Sequence, residues 1–110
     1  KDLEKLDLFH VEQFARLVAK MNAIKEGEGT LLDNVMFTMG SGLSSGSLHE
    51  CTNLPTVVAG LGGGSFSANQ HIKHPKGTPI ANLWLSMANI MGLEKKRIGD
   101  STGLLGNWLA

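Results

Sequence analysis

The sequence holds a single cysteine, no net charge and no long apolar run, and each shortage removes a class of function. Cys51 alone cannot close an internal disulfide, so the usual mark of an oxidising compartment is missing. Ten basic residues balance ten acidic ones, which leaves no electrostatic footprint for nucleic acid or an anionic membrane, and no nucleic-acid partner is expected. No stretch approaches the roughly 20 apolar residues that cross a bilayer, so no membrane span is expected. The opening "KDLEKLDLFH" has neither an initiator methionine nor the basic-then-apolar layout of a signal peptide. The chain therefore reads as a piece of something longer, with any targeting segment upstream of Lys1.

What is present suffices for one core. A length of 110 residues with 42% hydrophobic content fits a single domain spanning residues 1–110. Leu6, Phe9, Phe14, Leu17, Val18 and Met21 recur at helical spacing with Glu12, Gln13, Arg16 and Lys20 between them, which predicts an amphipathic helix from Leu6 to Ile24. The glycines of "KEGEGT" predict a loop, and Asp33 and Asn34 in "LLDN" are turn or cap residues. "VMFTMG" and "PTVVAG" are short, apolar and closed by glycine, the pattern of strands covered on both faces, and predict the central strands of a parallel or mixed sheet. Around His71, Ile72 and Lys73 the alternation suggests a short edge strand or hairpin. "TPIANLWLSMANIMGL" predicts a second helix with Thr78 as cap, Pro79 at the first helical position, Trp84, Met87 and Met91 in the core, and Gly92 as its stop.

Helix, strand, strand, hairpin, helix is an α/β layout, yet two or three strands make a thin sheet for covering both faces. Leu104, Leu105, Trp108 and Leu109 near the C-terminus would be sticky in water and must pack on the core or meet a partner. An exposed sheet edge and this apolar tail together predict a homo-oligomer.

Several motifs fall short of a known chemistry. "GSGLSSG" does not fit the Gly-x-Ser-x-Gly elbow of a serine hydrolase. "GLGGGS" follows a strand as a dinucleotide loop does, but "SFSANQHIKHPKG" after it is not helical, so a tight turn is the better reading. The stretch "GSGLSSGSLHECTNLP" is more open. Its backbone amides with Ser41, Ser44 and Asn53 could hold an anion, or the stretch is a plain crossover loop. His49 with Cys51 could share a metal ion, or His49 is a hydrogen-bonded loop histidine; His10, His71 and His74 lack a recognised ligand spacing to the pair.

"FHVEQFARLVAKMNAIKEGEGTLLDNVMFTMGSG", "LHECTNLPTVVAGLGGGSF", "HPKGTPIANL" and "GDSTG" together resemble the C-terminal part of the HXXSHH domain family, a bacterial group of unknown function. The resemblance runs through nearly the whole chain. That family is similar in turn to the alkaline phosphatase and sulfatase superfamily. This implies a three-layer α/β/α sandwich with a divalent metal such as zinc at the strand ends, and metal-assisted hydrolysis of phosphate or sulfate esters. His49 stands where a metal-ligating histidine would be. Ser47 and Leu48 stand where the superfamily has its aspartate, and Cys51 where family members often carry a further histidine. The motif that names the family would lie upstream of Lys1, and the resemblance also implies an exported, periplasmic or secreted protein. Without the ligands, the same fold would serve as a non-catalytic secreted binding or scaffold module.

Overall fold

The computed structural model describes residues 2–65 and 67–106. A helix α1 (Asp2–Ala23) leads into a hairpin of β1 (Lys25–Glu26) and β2 (Gly29–Thr30), then a single helical turn α2 (Leu31–Asn34). Strands β3 (Phe37–Gly40) and β4 (Thr56–Ala59) follow, and α3 (Ala81–Ile90) precedes an irregular tail. The fold is mixed α/β, with a long helix and two small antiparallel sheets.

The anticipated parallel or mixed sheet is not what forms. β3 and β4 pair antiparallel, Phe37 opposite Ala59 and Gly40 opposite Thr56. A parallel pair needs a crossover, usually a helix. Residues 41–55 are too rich in glycine and serine to supply one, so the chain turns back along the same edge. Both strands are half-buried rather than sealed on two faces, as suits an antiparallel ribbon.

The ribbon's period of two distributes the helices. The Phe37 ring stacks on Phe14 of α1, with centroids 4.9 Å apart and planes within 7°. Its neighbour Thr38 points to the opposite face and donates to Met87 Sδ of α3 at 3.8 Å. On that side Met36, Val58, Ile72, Met87, Ile90 and Leu105 pack around Leu83. The core sits there, centred on α3, whose Leu85 is 1% exposed.

The predicted "KEGEGT" loop is in fact the β1–β2 hairpin, with Gly27 at φ 58 in its two-residue turn. Asp33 acts as the expected cap residue: its carboxylate accepts from the Thr30 amide at 2.7 Å and from Thr30 Oγ1 at 3.0 Å. Thr78 does not cap α3; its hydroxyl donates to the Pro75 carbonyl, and Ile80 takes the N-cap position. Gly92 does stop α3. At φ 83 its amide meets the Asn89 carbonyl while the Leu93 amide meets that of Ala88, a Schellman closure. Trp84, at 38%, and Met91, at 74%, are exposed, so of the three residues predicted for the core only Met87 packs. His71 to Lys73 form no strand; Ile72 alone turns inward.

Candidate functional site

The candidate site is the loop joining β3 to β4. Its start is pinned by Ser41 N donating to the Pro55 carbonyl at 3.3 Å, which extends the ribbon by one step. Beyond that, Ser44 N donates to the Glu50 carbonyl at 2.8 Å and Glu50 N to the Ser45 carbonyl at 3.2 Å, so residues 45–50 close into a small turn bridged between Ser45 and Glu50.

The hydroxyls that could have met an anion are directed into the loop. Ser41 Oγ donates to the Leu43 carbonyl at 2.7 Å and accepts from the Leu43 amide at 3.2 Å. Ser44 Oγ donates to the Glu50 carbonyl at 3.3 Å. Ser45 Oγ accepts the Leu48 amide, and Thr52 Oγ1 donates to Glu50 Oε1 at 2.7 Å. The serines thus organise the turn, as short hydroxyl side chains do when they compete with backbone partners.

His49 and Cys51 are both exposed, and Cys51 Sγ lies 3.7 Å from the His49 carbonyl it donates to. Among the described residues no group of three His, Cys, Asp or Glu side chains is gathered to hold a metal ion. Two exposed side chains on one turn do not make a zinc centre, which needs three or four ligands. The described residues therefore do not fit the implied metal by themselves. His10 lies on α1 with its ring against Phe9, and His71 and His74 lie in the segment before α3, so none of the three helps to complete a set.

No family model, curated protein or solved structure matches the chain. The chemistry must therefore be read from the residues.

The backbone of the loop is unusual at two places, His49 at φ 50 and Asn53 at φ 53. Asparagine visits the left-handed region readily through local hydrogen bonding, whereas histidine pays about 1–2 kcal/mol there. Substituting His49→Gly removes that strain at some cost in chain entropy. The variant is expected to gain a few tenths to about 1 kcal/mol in urea unfolding. An equal loss would mean that the imidazole holds the turn.

A polar stripe on α3 escaped the sequence reading. Asn82, Ser86 and Asn89 follow one another at spacings of four and three, so they share a helix face. Asn82 Oδ1 accepts the Thr102 amide at 2.8 Å while its Nδ2 donates to Thr102 Oγ1 at 3.1 Å. Ser86 Oγ accepts the Leu105 amide at 2.8 Å, and Asn89 Nδ2 donates to the Lys95 carbonyl at 2.9 Å. The tail is strapped to α3 through these groups, with Leu105 packed beneath and Leu104 exposed. Trp108 and Leu109 lie outside the described residues. The available signal was three polar residues inside an otherwise apolar helix.

Proposed function

We propose that the chain is a non-catalytic docking module, a small α/β unit whose long helix offers an apolar surface to be covered by another surface. One observation carries this reading. α1 buries none of its residues, and Leu3, at 76%, Leu6, Leu8, Phe9, Val11 and Leu17 stand exposed on it, while the buried apolar core among the described residues consists of Ala81, Leu83 and Leu85. Single apolar residues on a surface are ordinary, but six on one helix, with Leu3, Leu6 and Leu17 along one side of it, mark an interaction site.

The test uses dye binding at sub-micromolar protein. Wild-type chain should raise the fluorescence of an apolar-surface dye severalfold over the Leu6→Glu/Leu17→Glu variant, with the near-ultraviolet circular dichroism of the two tryptophans equal in both. Equal dye binding would remove the docking reading.

A second reading keeps the resemblance to the HXXSHH family. In it the chain is the C-terminal part of a larger alkaline-phosphatase-like domain, and the β3–β4 loop stands at the rim of a cleft for phosphate or sulfate esters. Two features support it: helices lie against opposite faces of the β3–β4 ribbon, as in a three-layer sandwich, and His49 sits in a strained backbone region, where functional residues concentrate. The remaining ligands would come from outside residues 1–110.

A further inference from the structure

We infer that the surface α1 docks is a second copy of itself, paired antiparallel about a twofold axis. The inference rests on the docking reading and names its occupant.

Leu3, Leu6, His10, Gln13, Leu17 and Lys20 fall at alternating spacings of three and four, the repeat of a helix that pairs with another helix. Exposed except at the half-buried Gln13, this row runs beside the half-buried Phe14, Val18 and Met21, of which Phe14 stacks on Phe37 of the sheet. Charge then fixes the direction. Flanking the row, the N-terminal half carries Asp2 and Asp7 and the C-terminal half Arg16 and Lys20, while Glu4, Lys5 and Glu12 lie on other sides of the helix. A parallel pair would set acid against acid and base against base, whereas an antiparallel pair sets each half against its opposite. The exposed Lys5–Asp2 pair, at 3.8 Å, neutralises little of this asymmetry.

The register follows from the row itself. Placing Leu6 against the other copy's Leu17 also places His10 against its Gln13 and Leu3 against the stem of its Lys20, with Asp2 close to that ammonium. By twofold symmetry each contact occurs twice. The central His10 and Gln13 would meet as a hydrogen-bonded polar pair, the device that pins register in coiled coils. A shallow open groove lined by Gln13, Arg16, Leu17 and Lys20 lies where the incoming Leu3 and Leu6 would seat.

Sedimentation equilibrium across micromolar concentrations tests this. The wild-type chain should dimerise, Leu17→Glu should weaken the dimer by at least about a hundredfold, and Lys20→Glu by roughly five- to tenfold. Reversing both signs in Asp2→Lys/Lys20→Glu should restore most of the loss. The near-ultraviolet circular dichroism of the two tryptophans must match in every variant. A monomer at all concentrations, or a dimer indifferent to Leu17→Glu and to Lys20→Glu, overturns the inference. If such a monomer still loses dye binding in Leu6→Glu/Leu17→Glu, the face docks onto a different partner and the docking reading stands. If dye binding is also unchanged, both fail.

Discussion

Gly60→Ala is expected to destabilise the chain by about 3–5 kcal/mol, and Gly64→Ala by only about 1–2 kcal/mol. Both glycines have positive φ, 98 at Gly60 and 82 at Gly64, so each substitution meets the unfavourable backbone region of an L-residue. That shared cost is about 1–2 kcal/mol. Only Gly60 is also crowded. A Cβ there would run into the Val35 carbonyl oxygen and lie 2.8 Å from that of Leu32, whereas one at Gly64 meets nothing within 4 Å.

The crowding exists because the glycine loop caps α2. Leu61 N donates to the Leu32 carbonyl at 3.3 Å, Gly62 N to Val35 at 3.1 Å and Gly63 N to Asp33 at 2.9 Å. These carbonyls have no partner within a single helical turn, and the loop supplies one. Backing the loop away to admit a methyl group lengthens all three bonds at once. The combined cost should reach about 3–5 kcal/mol, near the lower end of the roughly 5–15 kcal/mol that holds a domain together. Urea titration of the two variants in parallel checks it. Equal midpoints would mean that the approach to α2 is not what selects glycine at position 60.

The same loop shows what the sequence could and could not disclose. "GLGGGS" was readable as a tight turn rather than a phosphate cradle, because nothing helical follows it. What it turns around was not readable, since a carbonyl needing a donor leaves no trace in residue type. The two main helices and both central strands were legible from periodicity and glycine punctuation, and so was the Gly92 closure. Strand direction was not: an apolar run of four residues looks alike in a parallel strand and in a half-buried ribbon, and only the poverty of residues 41–55 in helix formers argues for the return. Trp84 and Met91 failed as core residues because helical spacing says which residues share a face, not which face meets the sheet. At the candidate site, the positions of His49, Cys51, Ser41, Ser44 and Asn53 in one loop were legible. The fate of the serine hydroxyls was not, because hydrogen bonds within a loop depend on a backbone path that propensity does not set.

Asn82→Ala is the other substitution with a large expected effect, and it acts on the tail. Asn82 is 6% exposed and its amide group serves Thr102 at two atoms, the backbone N and Oγ1. Truncation removes both bonds and leaves the Thr102 amide to find water through a partly closed surface, at about 2–4 kcal/mol. Ser86→Ala does less to the helix, whose own ladder is intact, yet it orphans the Leu105 amide at a site where Ser86 is 2% exposed. Amide hydrogen exchange separates local from global effects. In Asn82→Ala, Thr102 and Leu105 should lose protection by at least about tenfold more than Leu83 and Leu85, because the strap opens before the core does. The two substitutions should also be non-additive: once Asn82 is gone and the tail lifted, Ser86 has little left to hold, so the double variant should cost about 1 kcal/mol less than the sum. Uniform loss of protection across α3 and the tail, with additive costs, would show that the stripe supports the helix itself rather than strapping the chain that crosses it.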